Sequence, residues 1–168
     1  MRKWSTAAIA ALALVLTAAP AQAEPEPWQP YRSTPFEAAA GKYCDFALRV
    51  EPLEDEEEYR VTARYPDGTP HLYEYRGKLV SRFTNVATGE SAVRDISGHA
   101  WHEVYPDGET WKSFSVLGPF TAGFRAEDSH EQGYYRFDGV TSIAYERDGT
   151  RHLRVSTGES ETFCETLA

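Results

Sequence analysis

The chain has 168 residues and carries 26 acidic against 17 basic ones, a net charge of −9 at pH 7. That balance argues against nucleic acid and anionic membrane as partners, since both select basic patches. Hydrophobic residues make up 41 % of the sequence, which at this length suits one domain with a real core.

Residues 1–23 read as a secretory signal peptide. Arg2 and Lys3 give a positive start, Ala7 to Ala19 form an apolar run, and Ala21 and Ala23 place small residues three and one before a cut ahead of Glu24. The run is too short for a spanning helix, which needs ~20 residues. The first cysteine, Cys44, stands far from the cut, so it is not a lipid-anchor residue. The expectation is a secreted, extracellular protein cleaved near Ala23, with no membrane partner. Loss of the leader takes two basic residues and leaves 15 against 26, a net charge of −11.

Residues 24–42 hold prolines at 25, 27, 30 and 35, which interrupt regular ladders. The spacing predicts an extended arm with a helical turn at Phe36 to Ala40, docked through Trp28, Tyr31 and Phe36, or else a disordered tail.

Residues 43–168 read as a single all-β domain. In "YRVTARY" the residues Tyr59, Val61, Ala63 and Tyr65 share one face, and Arg60, Thr62 and Arg64 share the other. That is the period-two pattern of a half-buried strand. The runs "HLYEYRG", "LVSRFTNV", "SAVRDIS", "HAWHEVY", "TWKSFSVL", "GYYRF", "VTSIAYE" and "RHLRVST" follow between turn residues. No long stretch carries a helical stripe.

The turns have a chemistry of their own. In "YPDG" Pro66 presets φ, Asp67 can bond nearby backbone, and Gly68 accepts positive φ at the exit. Pro106, Asp107 and Gly108 repeat the motif; Asp148 and Gly149 end "ERDG", and Gly89 ends "NVATG". "FDGV" at 137–140 reads as a fifth hairpin. Successive hairpins predict an antiparallel up-and-down meander of about 8–10 strands. An open meander exposes two edges, so a closed or nearly closed β-barrel is expected, with a two-sheet β-sandwich as the alternative. Cys44, at the start of the first strand, and Cys164, just past the last, are expected to form a disulfide in an oxidising compartment.

Cys44-Asp45-Phe46, "FTNVATGES", "ISG", the "PDG" hairpin, "VLGPF", "ERDGT" and the terminal "FCETLA" together resemble a group of small secreted β-rich proteins of high-GC Gram-positive bacteria. The resemblance spans about Tyr43 to Ala168 and implies location and architecture rather than chemistry. Thirteen Arg against four Lys agree with a high-GC genome. The polar stretch after "VLGPF" departs from that pattern.

No catalytic residue, cofactor or metal ligand is nominated. In "GHAWHEV" His99 and His102 stand three apart, hence on opposite faces of a strand, and His102 and Glu103 also face apart. The strand is therefore expected to show exposed imidazoles. Glu54 to Glu58 read as a solvated acidic loop, because calcium loops alternate their ligands around a Gly. Glu103 and Glu109 are two acids among many, and no serine stands in a G-x-S-x-G elbow. Tyr59, Tyr65, Phe83, Trp101, Trp111 and Tyr135 are expected in the core. Three functions remain: a non-enzymatic module binding an unknown ligand or protein; a small-molecule barrel of broad lipocalin style with isomerase or cyclase chemistry; and a secreted inhibitor or toxin-related factor acting through the 121–132 loop.

Overall fold

The computed structural model describes residues 26–168; the leader at 1–23 and its cleavage lie outside the described residues. Two short strands of the arm come first, β1 (Gln29–Pro30) and β2 (Phe36–Ala38). Six long ribbons follow, each bent near its middle so that its halves enter different sheets. β3 (Leu48–Asp55) leads into β4 (Glu58–Arg64), and β5 (Pro70–Arg76) into β6 (Leu79–Asn85). β7 (Ser91–Asp95) leads into β8 (His99–Val104), and β9 (Trp111–Leu117) into β10 (Phe120–Phe124). β11 (Gly133–Phe137) leads into β12 (Val140–Tyr145), and β13 (Arg151–Ser156) into β14 (Ser160–Thr162). A single helical turn, α1 (Phe163–Thr166), ends the chain.

The 14 strands, all antiparallel, form a seven-stranded sheet β1-β4-β5-β8-β9-β12-β13, a four-stranded sheet β2-β3-β6-β7 and a three-stranded sheet β10-β11-β14. At the tips, Tyr65 N donates to Thr69 O (2.8 Å), Gly68 N to Tyr65 O (2.9 Å), and Asp67 Oδ1 accepts from Thr69 N (2.9 Å). Tyr105 to Thr110 repeat these bonds, with Asp107 Oδ1 accepting from both Glu109 N and Thr110 N. Both exit glycines have positive φ, 89° at Gly68 and 77° at Gly108. The two "YPDG" copies are thus the tips of β4–β5 and β8–β9.

The bends follow a different rule. Gly77, between β5 and β6, has φ 122°, and a Cβ there would collide with Glu56 O and Glu57 Cα at the bend of the β3–β4 ribbon. Asp138-Gly139, expected as a hairpin, is also such a bend. β11 pairs with β10 and β14, whereas β12 pairs with β9 and β13.

The expected barrel does not close. Among the described residues β1 and β13 remain the edges of the large sheet, and no ladder joins β7 to β10. The ribbons bend so sharply that their lower halves split into two sheets that face one another, the sandwich-like alternative. Leu48, Val50 and Phe83 from the four-stranded sheet pack against Tyr134 and Phe163. The Phe83 and Phe163 rings stack at 3.9 Å. A second core sets Ala100, Val116 and Ile143 of the large sheet against Phe120, Phe124 and Phe137 of the three-stranded one.

Cys44 and Cys164 form the disulfide, with Cα atoms 5.1 Å apart. Cys44 sits in a bend ahead of β3, the strand at whose start it is expected and which begins only at Leu48. Cys164 lies in α1, whose N-cap Thr162 accepts a hydrogen bond from Cys164 N. Asn85 ties the same end down, donating from Nδ2 to Leu167 O (2.9 Å) while its Oδ1 accepts from Ala87 N (3.0 Å).

The arm is ordered differently from the expectation. Phe36–Ala38 is a strand on β3, with Phe36 opposite Val50, and not a helical turn. Pro30 sits in an edge strand opposite Glu58, where a missing N–H is tolerated. A third of the expected 121–132 loop is also more regular: Thr121 to Phe124 belong to β10. Asp128, buried, accepts from Arg125 N and Arg151 N (2.7 Å each), and Ser129 N donates to Arg151 O (2.9 Å). This segment therefore covers the upper part of the β13 edge. Among the described residues no helix is long and apolar enough to cross a membrane.

Candidate functional site

Alternation along the strands of the large sheet sorts aromatic rings onto one concave face. Tyr59 of β4 meets Tyr73 of β5 (6.3 Å between centroids), Tyr73 meets His102 of β8 (5.9 Å), His102 meets Trp111 of β9 (4.0 Å), and Trp111 meets Tyr145 of β12 (5.3 Å). Five neighbouring strands each contribute one ring to this stripe, which runs across the strands.

Two cavities adjoin the stripe. The first, about 320 Å³, includes Tyr43, Trp111, Phe114, Tyr134, Tyr145 and Arg151 in its wall. The second, about 190 Å³, includes Tyr31, Ser33, Glu57, Tyr75, His102 and Trp111. Trp111, Phe114, Phe120 and Thr121 belong to both walls. The arm supplies Phe36 of β2 to the first and Tyr31 and Ser33, between β1 and β2, to the second. Tyr31, Phe36 and Trp111 are also the strongly exposed aromatics of the described chain, at 38, 42 and 44 %. All three line a cavity, whereas the other exposed large hydrophobics are Leu and Val.

The polar groups in the walls are perturbed by their surroundings. Burial holds the pKa of the His102 imidazole down to about 4. His102 is 6 % exposed, and its Nε2 is buried without a hydrogen-bond partner. Burial pushes the Glu57 carboxyl above the ordinary carboxylate range, and the charge of Asp55 adds to this. The Ser33 hydroxyl opposes the shift by donating to Glu57 Oε2 (2.6 Å). Burial raises Tyr75 strongly and holds Tyr134 and Tyr145 at about 12, so all three stay protonated donors at neutral pH. The Tyr134 hydroxyl meets Thr121 Oγ1 at 3.2 Å.

His99 and His102 do lie on opposite faces. The expectation of exposed imidazoles holds for neither outright: His99 is half-buried beside Trp101 and His102 is in the interior. On the outer face Glu74 links Arg60 (2.6 Å) to His99 (2.7 Å), and Glu103 joins His71 (2.8 Å) and Lys112 (2.6 Å). Burial alone would raise Glu74, yet its bonds to Arg60 and His99 outweigh that and hold it below the ordinary range. The acidic run is not a uniformly solvated loop. Glu54 pairs with Lys78, Asp55 accepts from Ser33 N (2.7 Å), Glu57 enters the second cavity, and Glu58 pairs with Arg76. Of the six aromatics expected in the core only Phe83 is buried; Tyr59, Tyr65, Trp101 and Tyr135 are intermediate and Trp111 is exposed.

An all-β protein with a ring-lined cleft between its sheets is thus defined by fold and site. No protein-family model, curated protein or solved structure matches the chain.

Proposed function

We propose that this is a secreted, non-enzymatic binding protein that holds a small organic ligand in the aromatic cleft. The carrying observation is that all three exposed aromatics, Tyr31, Phe36 and Trp111, line the two cavities. Exposed rings have no folding reason to gather there, whereas a ligand would cover them. The larger cavity stands at the lower end of the size range of small-molecule sites, ~300 Å³ and above. The Cys44–Cys164 bridge agrees with an oxidising compartment, and the reading of residues 1–23 supplies the route there.

The test uses N-phenyl-1-naphthylamine, a neutral probe that brightens in apolar sites. The disulfide-bonded chain from Glu24 should enhance its emission, and Trp111→Ala should remove most of the enhancement. No enhancement, or one indifferent to Trp111, would sink the cleft reading.

A further inference from the structure

The first cavity has an unusual wall for an apolar site. Phe36, Tyr43, Trp111, Phe114, Phe120, Tyr134 and Tyr145 line it, and no Leu, Ile, Val or Met does. Aliphatic chains are ordinarily received by aliphatic and Met side chains, which adapt to their shape. A wall of rings instead offers flat faces and edges, which select a flat π-system.

The single charge in that wall is Arg151. Five arginines of the described chain are partly buried: Arg60, Arg94, Arg125, Arg136 and Arg151. Four have a carboxylate partner, respectively Glu74, Glu161, Asp128 and Asp138. Arg151 has none among the described residues. Its Nη1 donates to Gly123 O, and its Nε is buried with no partner. The nearby Asp128 carboxylate is engaged with the Arg125 guanidinium and takes only the backbone N–H of Arg151. The Arg151 guanidinium thus has an idle N–H and no carboxylate; its other compensation is the Tyr145 ring, 5.9 Å away.

We propose that the first cavity takes an aromatic carboxylate, with the carboxylate on Arg151 and the ring among Trp111, Phe114 and Tyr145. This rests on the cleft reading above and names its ligand class. The planar guanidinium suits a carboxylate because its N–H groups form a fixed fork that two oxygens can meet together. The indole of Trp111, shared with the second cavity, then covers the ring.

Titration calorimetry with 2-naphthoate and the neutral isostere 2-naphthylmethanol separates the parts. Naphthoate should bind the disulfide-bonded chain about tenfold to a hundredfold more tightly than the alcohol, the range expected for a charge-assisted bond. Arg151→Met should bring naphthoate down to the level of the alcohol and leave the alcohol unchanged. Trp111→Ala should weaken both. Should Arg151→Met not fold, Arg151→Lys must still reduce the preference, and the wild-type comparison stands alone. Equal affinity for the two probes, or a preference that survives loss of Arg151, overturns the proposal. In that case binding of N-phenyl-1-naphthylamine would still support the cleft, whereas failure of all three probes removes the cleft itself.

Discussion

The imidazole of His102 lies 4.0 Å, centroid to centroid, from the indole of Trp111, and its Nε2 is buried with no partner. This pairing makes the fold sensitive to mild acid. The ordinary pKa of 6.5 applies in the unfolded chain, whereas burial holds the folded value at about 4. Between those values the unfolded chain binds more protons, so stability rises with pH across that window. The contribution is complete above about 6.5 and is lost as pH falls toward 4. Its full size is about 3 kcal/mol. Urea unfolding of wild type and His102→Phe at pH 7, 5.5 and 4.5 should show wild type losing about 2 kcal/mol more than the variant by pH 4.5. Parallel curves would refute the assignment.

The Glu57 carboxyl works in the opposite sense. Its folded pKa lies above the ordinary 4.5, chiefly through burial, so wild type loses stability as pH rises through that range. Glu57→Gln keeps an acceptor for the Ser33 hydroxyl and removes the charge. It should gain about 0.5–1 kcal/mol at pH 7. The gain should vanish near pH 4, where both carboxyl and carboxamide are neutral. Thermal melts at the two pH values measure it.

The difference between these two residues explains what could be read from the chain. Period two in "HAWHEV" sets Ala100, His102 and Val104 on one face, so the sequence places His102 on the apolar side once that face is identified. Glu57 has no such signal. It sits between β3 and β4, where the ribbon passes from one sheet to another and the alternation loses its phase. The same limit explains the barrel. Hairpin tips are local events written in Pro, Asp and Gly, whereas the bends at Gly77 and Gly139 depend on contact with another ribbon. "FDG" looks like a tip and is a bend for that reason. β10 escaped because "FTAGF" lacks β-branched alternation, and its place depends on pairing with β11. The disulfide was legible from compartment and parity alone.

Gly68 and Gly77 should respond differently to the same substitution. At Gly68 an added Cβ meets nothing within 4 Å, so Gly68→Ala carries only the strain of positive φ, about 1 kcal/mol. At Gly77 the Cβ collides with Glu56 O and Glu57 Cα as well, and backbone on both ribbons must move. Gly77→Ala should cost about 2–4 kcal/mol, in the range of overpacking plus strain. Urea midpoints rank the two. Equal losses would mean that the bend is not held by close approach.

The bridge between Cys44 and Cys164 spans a sequence separation of 120 residues. Loop-closure entropy in the unfolded chain assigns it about 4–5 kcal/mol. Cys44→Ser with Cys164→Ser should lower stability by most of that. Asn85→Ala, which breaks the bond from Nδ2 to Leu167 O, should cost about 1–3 kcal/mol and act on the same end of the fold. Because both devices hold α1 against the core, their combination should cost less than the sum. A double-mutant cycle with full additivity would separate them.

Trp111 is where stability and binding part company. At 44 % exposure just over half of the indole is buried, so Trp111→Ala should cost about 2–3 kcal/mol and still leave the domain folded. Yet its indole covers His102 and forms part of both cavity walls. Without it water reaches the imidazole, and desolvation, the cause of the low pKa, weakens. The His102 C2–H resonance should therefore titrate well above 4 in Trp111→Ala, moving toward 6.5, while N-phenyl-1-naphthylamine no longer brightens. Trp101→Ala provides the contrast. That indole stacks on His99 at 4.5 Å and lines neither cavity, so both readouts should stay at wild-type values. A His102 titration unmoved by the loss of Trp111 would mean that other parts of the sheet keep water out, and the indole would lose its place as the cover of the site.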